Sequence, residues 1–385
     1  MSVSTSARTF QNILVTGGAG FIGSHLVDAL LERGHQVRVY DSLEPQVHGP
    51  SREQGEWPAY LSSEAERIPG DVRDREALRR ALQGVEVVFH LAARVGVGQS
   101  MYEIESYVDA NVCGTAVLLD LLANEPHHVR KLIVASSMSA YGEGKYECAR
   151  CGVVYPQLRP EEQLRARDWE MRCPRCGEPA APLPTDEAKP LFPTSVYAIT
   201  KRDQEEMCLR VGQAYGIATV ALRLFNVYGP RQALSNPYTG VVAIFAGRLL
   251  NGKPPVIFED GLQQRDFVHI SDVVQAFLVT MERAEVDYQA VNVGTGRPIT
   301  ICQVAEALLD HFQLPVSNFQ ITHQFRAGDV RHCFADAAGI GQLGYLPRVT
   351  FSEGLVETVE WVRTQVAHDR FDAARGELER RGLAV

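Results

Sequence analysis

Tyr197 and Lys201 stand four positions apart in the run Tyr197-Ala198-Ile199-Thr200-Lys201, and on a helix that spacing puts both side chains on one face. An ammonium beside a phenol favours the phenolate, so the pair can act as a base for an alcohol proton. A free tyrosine titrates near ~10 and needs such help at neutral pH. Far upstream lies Thr16-Gly17-Gly18-Ala19-Gly20-Phe21-Ile22-Gly23. Glycines at 17, 20 and 23 allow a sharp turn, a close approach of backbone to a pyrophosphate, and tight packing of the next helix on the preceding strand. Tyr-x-x-x-Lys alone is also the pattern of a solvated helix face. Combined with a dinucleotide-binding turn, it points to hydride chemistry on an alcohol.

The elements that must position these groups can be read locally. Asn12-Ile13-Leu14-Val15 reads as a short buried strand, and residues 21–33 read as a helix with apolar Phe21, Ile22, Leu26, Leu30 and Leu31 on one side. Residues 36–40 form the second strand, and Asp41 ends it. A carboxylate there accepts hydrogen bonds from an adenosine ribose and repels a 2′-phosphate, which favours NAD over NADP. Asp71, followed by Val72, is placed to reach the adenine. The strand 85–90 ends in His90-Leu91-Ala92-Ala93, where Leu91, Ala92 and Ala93 let backbone pass close to the cofactor. Residues 103–124 read as a long helix and 131–135 as a buried strand, with Ser136-Ser137 at its carboxyl end. Open α/β sheets place their chemistry at that edge. The expected fold is therefore α/β, a Rossmann-type doubly wound parallel sheet with a smaller C-terminal α/β lobe.

Composition agrees with this. At 385 residues and 45% apolar content, the chain can bury one large core and a second, smaller one. A net charge of −9 speaks against a broad nucleic-acid or membrane-surface role. The first eleven residues are polar and lack the apolar core of a signal peptide, and no run reads as a membrane span. A cytoplasmic location is expected.

Further motifs give these elements a family. Ser137, Tyr197 and Lys201 are followed by Arg223-Leu224-Phe225-Asn226-Val227-Tyr228-Gly229-Pro230-Arg231, then Arg265-Asp266-Phe267-Val268-His269, then Asn292-Val293-Gly294-Thr295-Gly296 and Arg326-Ala327-Gly328-Asp329. Almost end to end, the chain resembles the extended short-chain dehydrogenase/reductases of the nucleotide-sugar epimerase and dehydratase group. The resemblance implies that Ser137 hydrogen-bonds the reacting oxygen, that Tyr197 is the acid/base, and that Lys201 holds the nicotinamide ribose and tunes Tyr197. It also implies that Asn226 and Arg265 hold a nucleotide-sugar diphosphate with Arg326 near the nucleotide. Ser136 is an adjacent competitor of Ser137, and Arg265 has an alternative as an ion-pair partner of Asp266. His90 reads as a structural strand end, and Asn111 as a helix residue that braces backbone. Residues 1–228 and 266–293 are expected to form the NAD-binding domain, and 229–265 with 294–385 the sugar-nucleotide lobe. By resemblance, helices 103–124 and 195–215 pair two subunits into a homodimer.

Departures from the family pattern narrow the chemistry. The resembling dehydratases follow the catalytic hydroxyl with Asp-Glu, decarboxylases carry Glu at the second of these positions, and one class of double epimerases carries Cys there. Here Met138 and Ser139 stand instead. A thioether and a neutral hydroxyl do not supply an acid and a base at pH 7. What Ser137, Tyr197, Lys201 and NAD suffice for is removal and return of hydride at one carbon, a 4-epimerisation.

Ser137 and Tyr197 stand sixty positions apart, far more than the resemblance implies, so residues 143–185 read as an added module. It contains Cys148-x-x-Cys151, twenty-one residues, and Cys173-x-x-Cys176. Two such knuckles supply four thiolates for a structural, tetrahedral Zn2+. Disulfides are disfavoured in a cytoplasmic chain, and no thioredoxin-like unit accompanies the CxxC pairs. Cys113, Cys208, Cys302 and Cys333 read as core thiols. The insertion, with Ala-Ser-Ser-Met before it and Phe-Glu-Asp-Gly before Arg265, resembles that of dTDP-L-rhamnose 4-epimerases. UDP-glucose or UDP-glucuronate 4-epimerisation is the alternative within the enzyme class. A non-catalytic NAD-sensing protein is the alternative outside it.

Overall fold

The computed structural model describes residues 10–49 and 56–385; the N-terminal residues 1–9 and part of the long connection after Asp41, residues 50–55, lie outside the described residues. The chain opens with β1 (Asn12–Thr16), helix α1 (Phe21–Glu32), β2 (Gln36–Asp41), β3 (Glu66–Pro69), α2 (Arg75–Ala81) and β4 (Val87–His90). It continues with α3 (Ile104–Asn124) and β5 (Lys131–Ser137), then with β6 (Lys145–Cys148), β7 (Gly152–Val154) and β8 (Ala181–Leu183) of the insertion. After α4 (Val196–Tyr215) come β9 (Ala218–Leu224), β10 (Asn226–Tyr228), α5 (Val241–Leu250), β11 (Val256–Ile257), β12 (Gln264–His269) and α6 (Ile270–Glu282). The chain ends with β13 (Gln289–Val293), β14 (Pro298–Thr300), α7 (Ile301–His311), β15 (Gln320–Ile321), β16 (His332–Cys333), α8 (Phe351–Arg363) and α9 (Phe371–Arg380).

Seven parallel strands form the main sheet in the order β13-β9-β5-β4-β1-β2-β3. Its strands are near-continuous apolar runs because both faces are covered, as a parallel sheet requires. On one face Ile13, Val15, Val39 and Phe89 meet Leu26 and Leu30 of α1 and Val273 and Phe277 of α6. On the other, Leu14, Val88 and Leu132 meet Leu78 of α2, Leu118 and Leu122 of α3 and Cys208 of α4. The order reverses between β1 and β4, so a crevice opens beyond the carboxyl ends of those strands, where such sheets bind ligands.

Residues after Tyr228 build a second core, in which Val242, Phe245 and Leu249 of α5 pack on Val304 and Leu308 of α7 and on Leu355 and Val359 of α8. α6 and β13 then return to the main sheet. Two details differ from the sequence reading. α3 is long and apolar enough to pass for a membrane span, but Leu118, Leu119, Leu121 and Leu122 are buried against the sheet, so it is a core helix. Cys113 is exposed on that helix, while Cys208 and Cys333 are buried as expected.

Candidate active site

The glycine turn sits where β1 meets α1. Gly17 adopts φ +69°, a left-handed conformation that favours glycine. A side chain there would put Cβ 2.8 Å from the Ala92 amide nitrogen, and one at Gly23 would lie 2.3 Å from the Gly17 carbonyl oxygen. Gly20 caps α1 with no side-chain acceptor, which leaves the amides at Phe21 and Ile22 facing the crevice without a capping side chain and suits a pyrophosphate. Leu91 N donates to the Thr16 carbonyl at 3.1 Å and Ala92 N to Thr16 Oγ1 at 3.3 Å, holding the turn that continues through Ala93 against these glycines.

Asp41 is 8% exposed; its oxygens accept from Ala19 N at 3.0 Å and Leu43 N at 2.8 Å. Burial pushes its carboxyl above the usual carboxylate range, against the pull of His48 and those two amides. A ribose diol would supply further donors to this buried acid. The Asp71 carboxylate is held by Arg73 at 2.8 and 2.5 Å, which keeps it below the usual range, and Arg73 also pairs with Asp109. Val72 packs against Gly114 of α3. His90 is buried between Thr16 Oγ1 at 2.8 Å and Thr115 Oγ1 at 2.9 Å. Burial, with Lys201 nearby, pushes its imidazole down to about 3, so it is a neutral structural residue.

Ser137 ends β5 and Tyr197 lies in the first turn of α4, whose N-cap Ser195 accepts from Ala198 N at 3.1 Å. Tyr197 is fixed by its own amide, which donates to Ser100 Oγ at 3.0 Å, and by an edge contact with the Tyr107 ring, centroids 6.5 Å apart. Burial pushes its phenol up to about 12, and the neighbouring Ser137 hydroxyl pulls against that shift. Ser137 Oγ also accepts from Ser139 Oγ at 2.8 Å. Ser136 faces the other way and donates to Glu205 at 2.6 Å, which resolves the choice between the two serines by geometry.

Lys201 is 4% exposed and donates to the Ala135 carbonyl at 2.9 Å; burial pushes it down to about 8. One donor of the ammonium is thus fixed under β5. Asn111 lies in a π-turn of α3, Val108–Cys113. It accepts from Arg94 N at 2.7 Å and donates to Thr200 Oγ1 at 2.9 Å, bracing the loop after β4 against α4.

Across the crevice, β10 and β12 run parallel with Asn226 opposite Phe267, so Asn226 and Arg265 are diagonal neighbours on one face. The Asn226 Oδ1 is buried without a hydrogen-bond partner, an orphaned acceptor that a ligand donor would satisfy. Arg265 does not pair with Asp266, whose carboxylate accepts from Thr295, Gly296 and Ala335 amides. Its Nη1 donates to the carbonyls of Gln264 and Arg331 and its Nη2 to that of Val330. Arg326 pairs with Asp329 at 2.8 Å and stacks on the Phe258 ring at 4.7 Å.

The insertion folds as an antiparallel sheet, β7-β6-β8. Cys148, Cys151, Cys173 and Cys176 converge, with all four Sγ atoms within 4.8 Å of one another and Cys148 and Cys176 Sγ 3.6 Å apart. Zinc–thiolate bonds of ~2.3 Å in a tetrahedron place sulfurs roughly 3.8 Å apart, so the donor set and spacing fit that ion. Sequence reasoning missed the partners of this module. Arg159, within the highly charged stretch 159–172, is buried and donates to Glu259 at 2.7 and 2.9 Å. Arg331 is fully buried among Glu170, Glu259 and Asp260. The acidic partners lie up to 161 positions away in sequence, so no local pattern signals them.

The model of the NAD-dependent epimerase/dehydratase family matches residues 13–160 and 175–294. A dTDP-L-rhamnose 4-epimerase of Burkholderia thailandensis is 35% identical over 94% of this chain and 98% of its own. UDP-glucose 4-epimerase of Thermotoga maritima, solved with UDP-glucose, shares 34% identity with a TM-score of 0.73, covering 92% of this chain and 99% of that one. UDP-glucose 4-epimerase of Thermus thermophilus, solved with NAD, shares 29% identity with a TM-score of 0.72, covering 92% of this chain and all of that one. Agreement in sequence and in three-dimensional structure over nearly the full length, around a site built for a dinucleotide, makes the assignment: the chain belongs to the NAD-dependent nucleotide-sugar epimerase/dehydratase family.

Proposed function

We propose that the chain is a nucleotide-sugar 4-epimerase that converts dTDP-L-rhamnose to dTDP-6-deoxy-L-talose. The observation that carries the reaction type is the set of groups around Tyr197. Its buried phenol lies beside Ser137, Ser137 Oγ accepts from Ser139 Oγ, and Met138 and Ser139 occupy the positions where a dehydratase needs an acid and a base. The substrate reading is supported by the rhamnose 4-epimerase relative. UDP-glucose is the second candidate, supported by the UDP-glucose complex of the similar Thermotoga maritima enzyme.

Tyr197 takes the proton of the sugar 4-hydroxyl while Ser137 Oγ holds the same oxygen, and Tyr197 later returns the proton. NAD, when bound, would supply the hydride acceptor in its oxidised form and the hydride donor in its reduced form, so that no net redox would occur. Gly17, Gly20, Gly23 and Asp41 hold that cofactor, and Lys201 holds its nicotinamide ribose. Asn226 and Arg265 hold the diphosphate, so the sugar can turn while its nucleotide stays fixed. In this reading residues 229–265 and 294–385 form the sugar-nucleotide lobe. The four thiolates bind one Zn2+ that is coordinatively closed and therefore structural. Exposed Ile104 and Val108 of α3 and Ile199 of α4 support a homodimer through those two helices.

A screen of purified protein against dTDP-, UDP- and GDP-sugars, read by NMR for a C4 epimer, tests the proposal. Conversion of dTDP-L-rhamnose is expected. Protein that carries NAD but epimerises none of these sugars would favour the non-catalytic reading.

A further inference from the structure

Arg265 is held by backbone. Three of its five N–H groups are spent on the carbonyls of Gln264, Val330 and Arg331, at 2.8, 2.6 and 2.9 Å. The hydrogen bonds that remain available, Nε–H and one Nη2–H, lie along one edge of the guanidinium plane, the edge that takes a phosphate in bidentate fashion. The direction of that edge is set by where residues 330 and 331 stand.

Residues 330 and 331 are in turn held by the insertion. The Arg331 amide donates to Glu143 at 2.7 Å and the next amide, of His332, to the other Glu143 oxygen at 2.8 Å. The Arg331 guanidinium is 0% exposed. It donates to Glu170 at 2.5 Å from the insertion, and to Glu259 at 3.1 Å and Asp260 at 2.6 Å from the lobe. His332 contacts the second Glu170 oxygen at 3.1 Å. Glu170 stands three residues before Cys173, and the strip between them is pinned by Met171 packing beside Cys148 and Cys173 and by Ala180 N on the Met171 carbonyl at 3.0 Å.

We propose that Arg331, clamped by Glu170 of the four-cysteine insertion, is a positioning residue for Arg265, so that the insertion sets the affinity for a nucleoside diphosphate without touching the reacting carbon. This rests on the reading of Arg265 as the diphosphate ligand. The insertion thereby acts on substrate binding through a chain of contacts, from the thiolate cluster to Glu170, from Glu170 to Arg331, and from the Arg331 and Val330 carbonyls to Arg265.

Replacing Arg331 would strand three carboxylates and can unfold the protein; Glu170→Gln is the gentler variant, since Glu170 is half exposed and the isostere keeps its size. Titration calorimetry with dTDP and with UDP as probes is compared for wild type, Glu170→Gln, Arg265→Lys and the double variant. Expected for Glu170→Gln is about fivefold weaker diphosphate binding with wild-type NAD and zinc content. On the sugar nucleotide that is turned over, KM rises and kcat is unchanged. The double variant loses no more than Arg265→Lys alone, because both act through one guanidinium. Wild-type affinity in Glu170→Gln alongside a clear loss in Arg265→Lys would overturn the relay and leave the diphosphate reading intact. Wild-type affinity in both would overturn the diphosphate reading as well.

Discussion

Tyr197→Phe removes one oxygen from the site and little else. The ring keeps its edge contact with Tyr107, the Tyr197 amide keeps Ser100, and Ser137 keeps both bonds from Ser139. Removing one hydroxyl from a buried ring changes stability by roughly 1 kcal/mol, so the variant should fold and retain NAD. Catalysis is another matter. With burial pushing the phenol to about 12, the ionised fraction at pH 7 is roughly 10⁻⁵, so the phenolate that accepts the sugar proton is the minor form. Losing a positioned acid/base costs about 10²- to 10⁴-fold in rate, or about 3–5 kcal/mol of barrier. The assay is the NMR time course of the C4 epimer at matched, NAD-saturated enzyme, with bound nucleotide released by denaturation and quantified separately. Wild-type kcat/KM should also rise with pH below the phenol's titration, because the deprotonated form is the base. A Tyr197→Phe enzyme within about fivefold of wild type would refute the assignment of the base, since that loss is smaller than any positioned acid/base is known to contribute.

Two other perturbations separate the roles of nearby groups. His90 is neutral in the fold and pushed down to about 3 by burial, whereas in the unfolded chain it titrates near ~6.5. The unfolded state therefore binds more protons between those values, and stability present above ~6.5 is lost as pH falls towards the folded value. The loss at pH 5 is about 2 kcal/mol, which urea midpoints at pH 7 and pH 5 should register and which His90→Gln should largely abolish. Cys173→Ser should lower zinc from about one per chain to well below that by elemental analysis, and weaken dTDP binding or thermal stability while NAD stays bound. Metal-free wild-type protein would count against the site itself.

Much of this was legible where function rests on local spacing. The glycine turn, Asp41 at the strand end, and Tyr197 with Lys201 one turn on are determined by contiguous residues and the periods of strand and helix. The four-cysteine module was legible for the same reason. Electrostatics was not. The direction of the Tyr197 shift depends on how much of α4 and β5 covers the phenol, and the Ala135 carbonyl that accepts from Lys201 is 66 positions away in sequence. The 159–172 segment shows the limit most plainly. The partners of its Arg159 and Glu170, Glu259 and Arg331, stand 100 and 161 positions away in sequence.

That buried network also bears on why the insertion carries cysteines at all. Its apolar core consists of Tyr146, Cys148, Val154, Met171, Cys173 and Ala180, too little to offset the entropy of ordering the segment. Ion pairs do not close that gap, because dehydrating Arg159, Arg331 and their carboxylates roughly cancels the attraction between them. What such pairs do supply is direction. Guanidinium and carboxylate planes accept few relative orientations, so Arg159 on Glu259 and Glu170 on Arg331 admit essentially one docking of the insertion on the lobe. In the proposed reading, an ion bound by the four thiolates would supply the missing ordering free energy inside the module. Folding of the insertion and its placement are thus separable. A variant that empties the thiolate cluster should disorder the module and weaken diphosphate binding together. Glu170→Gln should loosen only the docking, leaving the metal in place.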